Sequence, residues 1–256
     1  MSARSSAKKQ LAVKGNGPAE DPGAVARALS HIIEGSSRVQ SPAVKAYVDR
    51  LRGHDPSATP AEIVTRLEKH YLAAVMASGA AVGSAAAFPG IGTIAALAAV
   101  AGETVVFLEA TALFVLAVAE VHGIPADHHE RRRALVLAAL VGEEGKQAIG
   151  DLLGNSRTSG AWLADGAATL PLPAMTQVNS RLMKYFVKKF ALKRGAIAFG
   201  KLLPAGVGAV IGGGGNRIMG RKIINNAHDA FGPAPAKWPT SLVVLPAPQT
   251  PPALPE

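Results

Sequence analysis

Three groups of residues in this chain have the types and spacing to bind a nucleotide, a phosphate or a metal ion. Residues 90–95 follow the G-x-G-x-x-A spacing, in which glycines bring backbone amides close to a dinucleotide pyrophosphate. That fingerprint requires a strand before it, and the residues before Gly90 have the pattern of a helix, so we interpret 90–95 as a turn. Residues 215–222 come close to a phosphate-binding loop, but Arg221 stands where the lysine belongs and no serine or threonine follows.

Potential metal ligands cluster in one part of the sequence: Glu120, His122, His128, His129 and Glu130. They lack the H-E-x-x-H spacing that places two histidines on one face of a helix, so we interpret them as the solvated start of a helix. The chain has no cysteine and no G-x-S-x-G turn, which removes thiol nucleophiles and gives no sign of acyl transfer. We therefore expect no catalytic, cofactor-binding or metal site, although an enzymatic role stays open.

A motif of proline and small residues occurs twice and marks the apex of two predicted helical hairpins. The apex residues are Pro89, Gly90 and Gly92 in the first hairpin and Pro204, Gly206 and Gly208 in the second. The predicted helix-packing glycines, at G-x-x-x-G spacing, are Gly79, Gly83, Gly208 and Gly212. Such pairs leave a groove in which a neighbouring backbone can approach closely. Ordinary packing of alanine and glycine in a soluble bundle is the alternative.

These patterns predict an all-α protein, an Ala/Gly-rich helical bundle built around two pseudo-repeated hairpins with disordered termini. The predicted parts are a disordered tail at 1–20, short amphipathic helices at 21–58, the first hairpin and following helices at 59–154, a basic second hairpin at 155–232, and a Pro-rich disordered tail at 233–256. Thr59 and Glu62 have the spacing of a capping box, which predicts a helix start at that point.

The charge of the chain is concentrated in its second half. The formal net charge is +9, and no acidic residue occurs between Asp165 and Asp229. The predicted contacts with an anionic membrane are Arg181, Lys184, Lys188 and Lys189, on a basic amphipathic helix. A solvated face on a bundle helix is the alternative. We expect no nucleic-acid partner, because the basic residues lack the interleaved aromatic residues that stack on bases.

Three glutamates, Glu103, Glu109 and Glu120, interrupt the apolar return arm of the first hairpin. Glu109 and Glu120 are about three helical turns apart and share one face, whereas Glu103 points elsewhere. A carboxylate in such surroundings is costly unless it meets a cation, becomes protonated or reaches water. Because the second hairpin is rich in cations, we predict that Glu103 or Glu109 forms a buried ion pair with it, with Arg217 as the candidate partner. Glutamates that face solvent on the bundle surface are the alternative.

The order of these elements resembles the EcsC family of bacterial proteins, over residues 60–231. The elements that carry the resemblance are the Pro-Gly apex at 88–92, the turn at 122–127, the basic helix at 184–201, the turn at 204–208, the glycine-rich stretch at 212–216 and the segment at 227–231. The resemblance implies a helical, membrane-associated protein, and it brings no catalytic residues to this chain.

We therefore expect a non-enzymatic accessory protein on the cytoplasmic face of the bacterial membrane, which inserts its hairpins or rests them there. A link to transport or envelope processes, with a protein of that machinery as partner, is part of this expectation. The N-terminal basic residues have no apolar stretch after them, so we expect no signal peptide. The alternative is a soluble all-helical protein that binds an apolar ligand or acts as a scaffold or uncharacterised enzyme.

Overall fold

The computed structural model of the chain describes residues 41–85, 93–124, 128–143, 145–147, 171–201 and 207–239. Six helices of at least 13 residues occur in this part of the chain: α1 (Ser41–His54), α2 (Pro60–Ala85), α3 (Thr93–Val121), α4 (His129–Val141), α5 (Leu172–Lys201) and α6 (Val207–Phe231). The described residues contain no strand, so the predicted all-α class is confirmed.

The predicted hairpins are only partly within the described residues. The apex residues Pro89, Gly90, Gly92, Pro204 and Gly206 lie outside them. Helix α6 begins at Val207. Gly208, which was predicted as part of the second turn, is therefore helical. Helices α2 and α3 pack on each other, as do α5 and α6. The most extensive helix contact joins α2 to α6, which are arms of different hairpins.

The capping box fixes the start of α2 as predicted. The Thr59 amide donates to Glu62 Oε2 at 2.7 Å, and the Glu62 amide donates to Thr59 Oγ1 at 3.3 Å. Hydrogen bonds from the Thr59 amide and then its hydroxyl lower the pKa of the Glu62 carboxyl. Beyond this cap, Ile63, Leu67 and Tyr71 are buried on one face of the helix, as their spacing predicts.

Helix α6 meets α2 along a regular buried stripe. Residues at alternating intervals of three and four are buried along it: Gly213, Asn216, Gly220, Ile223 and Ala227. This spacing keeps one narrow face turned towards a neighbouring helix, as in coiled coils. At Gly220 a Cβ atom would lie 3.1 Å from side-chain carbons of Leu72 and Val75 on α2. A residue without a side chain therefore lets the two helices approach.

Helix α4 is a buried helix that contacts α3, α5 and α6. Its residues Ala134–Ala139 are buried, and α5, whose Leu182 and Phe186 are also buried, packs on it. The helix ends at Gly142, which has a φ of +74°. A Cβ atom there would lie 2.7 Å from the side chain of Asn226, whose Nδ2 donates to the Ala139 carbonyl at 2.8 Å. Both the backbone conformation and the space at this position require glycine.

Residues 232–239, which we call the C-terminal strap, cross the end of the bundle after α6. Trp238 Nε1 donates to the Ala58 carbonyl at 3.1 Å, and the Arg52 guanidinium lies 4.0 Å from the centre of its ring system. Pro239 lies against Gly123 at the end of α3. Residues 233–239, which the sequence assigned to the start of the Pro-rich tail, thus contact the bundle at these points. Trp238 supplies an apolar ring system and an N–H donor, and the proline-rich composition of this segment gives no sign of these contacts.

Candidate functional site

A buried carboxylate lies where the two hairpins meet. Helix α3 places Glu103 in the core with 3% of its surface exposed, and its Oε1 accepts a hydrogen bond of 2.6 Å from Asn216 Nδ2. The same amide donates to the Val75 carbonyl of α2 at 2.7 Å. Asn216 is itself fully buried. One side chain of α6 thus connects α2 and α3.

On α6, the structure gives Glu103 a different partner from the candidate Arg217. The residue of α6 that meets Glu103 is Asn216, whereas Arg217 and Glu109 are exposed. Asn216 belongs to the buried stripe of α6, and the next residue is turned about 100° away around the helix. The sequence correctly distinguished the faces of α3, since Glu103 and Glu109 were expected to point in different directions. The prediction of a partner for Glu103 was based on the cations of the second hairpin, and this criterion does not identify an uncharged residue such as Asn216.

A second buried asparagine makes a similar link between α5 and α4. Asn179 is 1% exposed, and its Nδ2 donates to the backbone carbonyl of Glu130 at 2.9 Å and to the Glu130 carboxylate at 2.6 Å. Asn179 was not among the functional residues predicted from the sequence. A signal was present, because a lone asparagine between apolar residues at helical spacing must satisfy its amide by contact with another element.

Two of the four basic residues predicted to contact a membrane, Arg181 and Lys184, lie on the outer face of α5. Arg181 and Lys184 are exposed; Lys188 and Lys189 lie in the same helix, but their side chains are outside the described part of the structure. The apolar face of α5 is buried in the protein, with Phe186 only 2% exposed. Over residues 173–187, where the side chains of α5 are described, the apolar side of this amphipathic helix is therefore used in the core.

The surroundings of two of the four predicted packing glycines are described by the structure. Gly79 and Gly83 are buried in α2. Gly208 and Gly212 lie in α6, but their surroundings are outside the described residues. The glycine contact that requires close approach of α6 to α2 is at Gly220, beyond the predicted G-x-x-x-G pair.

One helical stretch among the described residues, Gly102–Val121 in α3, is long and apolar enough to cross a membrane. Of this stretch, 61% is buried inside the protein. The central helix of a soluble bundle has the same properties, so length and hydropathy do not separate the two cases. The exposed side of α3 carries Val106 and Glu109.

A cavity of about 200 Å³ lies at the end of the bundle where α6 leads into the strap. Its apolar wall includes Val64, Phe114, Val118 and Phe231. The polar side chains that line it are those of Glu68, His122, His228 and Thr65. His228 Nε2 lies 2.5 Å from Glu68 Oε1.

The candidate metal ligands of the sequence do not form a metal site within the described residues. Among the residues that the structure describes, no group of three or more His, Asp or Glu side chains is placed so that it could hold a metal ion. His129 Nδ1 lies 3.6 Å from Glu130 Oε1, and His122 lines the cavity at the other end of α3 from Glu103.

No protein-family model, curated protein or solved structure matches this chain. The family resemblance given by the sequence motifs therefore stays a prediction, and the function has to be argued from the surfaces and the cavity of this structure.

Proposed function

We propose that this chain is a non-catalytic helical protein that rests on an anionic membrane surface through the basic face of its second hairpin. The observation that carries the proposal is the exposure of Arg181 and Lys184 on the outer face of α5. Helix α5 offers no carboxylate of its own to neutralise them, because no acidic residue occurs between Asp165 and Asp229. Basic residues close to an anionic bilayer each contribute about 1 kcal/mol to binding.

Helix α6 adds cations and apolar side chains on its own exposed face. Arg217 and Arg221 are exposed there. Ile218, between them, is 73% exposed, and Tyr185 beside Lys184 on α5 is 47% exposed. Large apolar and aromatic side chains next to cations suit the boundary between lipid headgroups and acyl chains. This composition supports contact with a lipid surface more than simple solvation of the helix.

The proposal favours resting on the bilayer over burying whole helices in it. The apolar face of α5 packs on α4, and most of the apolar stretch of α3 is buried in the protein. These surfaces are occupied as long as the bundle keeps its fold. In keeping with the resemblance to the EcsC family, we extend the proposal to an accessory role in transport or envelope processes on the cytoplasmic face of the membrane.

Sedimentation with lipid vesicles tests the proposal. We expect the protein to pellet with vesicles that contain phosphatidylglycerol, to stay in solution with pure phosphatidylcholine, and to be released by high salt, because salt screens exposed charges. The double variant R181E/K184E should bind the anionic vesicles at least about 30-fold more weakly, since it loses two contributions of about 1 kcal/mol each and adds two charges that the bilayer repels.

The matched control is K45E/K69E, which makes the same change of net charge at exposed residues of α1 and α2. It should bind nearly as well as the unaltered protein. Equal weakening of the two double variants would mean that net charge, and not the face of α5, causes binding, and would refute the proposal. Pelleting that detergent reverses and salt does not would replace it with insertion of the hairpins.

A further inference from the structure

We propose that the cavity at the end of the bundle binds a small organic ammonium ion whose apolar body is about the size of one ring. The volume of the cavity is about 200 Å³. An apolar cavity of about 150 Å³ already admits benzene, and sites for larger ligands occupy roughly 300–1,000 Å³. The cavity therefore suits a molecule with a single ring or a short branched chain.

The wall of the cavity accounts for the apolar part of this ligand. Phe114 and Val118 of α3 are each 3% exposed, and Phe231 at the end of α6 is 2% exposed. These side chains are already almost fully shielded from water, so they offer a ligand close van der Waals contact rather than much newly buried surface. Aromatic rings also attract a nearby positive charge, which favours a cationic ligand over a neutral one of the same shape.

The polar groups of the cavity require a ligand that donates hydrogen bonds. His122 Nδ1 lies 2.8 Å from the Val118 carbonyl, which can only accept, so this nitrogen carries the hydrogen. In the neutral ring Nε2 is then an acceptor, and it is buried with no hydrogen-bond partner among the described residues. Glu68 supplies a second acceptor, a carboxylate, in the same cavity.

Two acceptors, one of them charged, match an ammonium group, which has three N–H donors and a positive charge. An alcohol could satisfy one acceptor but would leave the carboxylate without a counter-charge. The Glu68 side chain is 22% exposed and contacts His228, which is 58% exposed. The ligand would take the place of this histidine at the carboxylate, an exchange that an exposed pair permits at small cost.

The C-terminal strap forms part of the same site. Gly232, Pro233 and Ala234 line the cavity, and Trp238 holds the strap on the bundle. The residues of this site belong to α2, α3, α6 and the strap, and none of the predicted packing glycines lines it. It is independent of the membrane contact proposed for the outer face of α5.

Titration calorimetry of the full chain with benzylamine and with benzyl alcohol tests the proposal, because the two probes share a ring and differ in charge. We expect benzylamine to bind at least about tenfold more tightly than the alcohol. E68Q should weaken benzylamine by about tenfold, and E109Q, at an exposed carboxylate outside the cavity, should not. H228A should bind the amine at least as tightly, because it leaves the carboxylate free.

Filling the cavity gives a readout that does not depend on charge. Val118→Phe should abolish binding of both probes. Its far-UV circular dichroism shows whether the bundle is still folded. If this variant does not fold, the affinity of E68Q for benzylamine tests the proposal instead. Equal affinity for amine and alcohol, equal weakening by E68Q and E109Q, or no heat of binding at millimolar benzylamine would each overturn the proposal.

Discussion

Replacing Asn216 with alanine should lower the free energy of unfolding more than the same replacement of an exposed asparagine in the same helix. The side chain donates to the Glu103 carboxylate at 2.6 Å and to the Val75 carbonyl at 2.7 Å. Loss of a hydrogen bond to a charged group costs about 1.5–3 kcal/mol, and loss of one to a neutral carbonyl costs about 1 kcal/mol. The higher helix propensity of alanine offsets up to about 0.7 kcal/mol, which leaves a net loss of about 2–3 kcal/mol.

Urea unfolding followed by circular dichroism measures this loss, and Asn225→Ala is the matched control. Asn225 is exposed on α6, so the same substitution gains the same helix propensity without breaking the buried contacts. Arg217→Ala should change stability by less than about 0.5 kcal/mol, because Arg217 is exposed. If N216A and N225A unfold within about 0.5 kcal/mol of each other, the reasoning about the buried contact is wrong.

A double-mutant cycle separates the contact from the loss of volume. Glu103→Gln keeps an acceptor oxygen but removes the charge, so its effect should depend on whether the Asn216 amide is present. We expect a coupling of about 1 kcal/mol or more between E103Q and N216A, because both remove the same charged hydrogen bond. Additive effects within about 0.5 kcal/mol would show that the two side chains do not stabilise each other.

The remaining predictions concern the glycines, the strap and the acidic limit of stability. Gly142→Ala should destabilise the protein by about 1–3 kcal/mol in urea unfolding, because φ is +74° and a side chain lies 2.7 Å from the new Cβ. Gly214→Ala should stabilise it by about 0.5–1 kcal/mol, since this helical position has open space around it; destabilisation by Gly214→Ala, or stabilisation by Gly142→Ala, would contradict the corresponding prediction. Trp238→Ala should cost about 2 kcal/mol through the lost hydrogen bond and cation contact, while Trp238→Phe should retain part of the packing. The pKa of Asp55 is lowered by hydrogen bonds from the Ser57 hydroxyl and then the Arg66 guanidinium, and that of Glu62 by its capping contacts. A carboxyl whose pKa is lower in the folded state stabilises the protein above its unfolded pKa, and that contribution disappears as the pH falls through the folded value. The urea midpoint should therefore fall as the pH drops below the ordinary values of 4.5 for Glu62 and 3.8 for Asp55, and less steeply in D55N/E62Q; equal slopes would contradict the assignment.

Local features of the chain were predictable from the sequence because they depend on neighbouring residues. The capping box of Thr59 and Glu62 begins α2 as predicted, since both members lie within one turn. The basic face of α5 is exposed at Arg181 and Lys184, because an amphipathic spacing assigns opposite faces of one helix. The different orientations of Glu103 and Glu109 follow from the same 3.6-residue period.

The contacts between distant helices were decided by the tertiary structure. Asn216 and Glu103 are 113 residues apart, and their contact depends on how α6 is rotated and shifted along α2 and α3. A shift of one residue would turn Arg217 inward instead, and spacing within one helix carries no information on that choice. The strap and the cavity that it borders also depend on such long-range contacts, because Trp238 reaches Ala58 across 180 residues of sequence. Periodicity therefore determined which faces are buried, and the packing of three helices against one another determined what each buried polar atom meets.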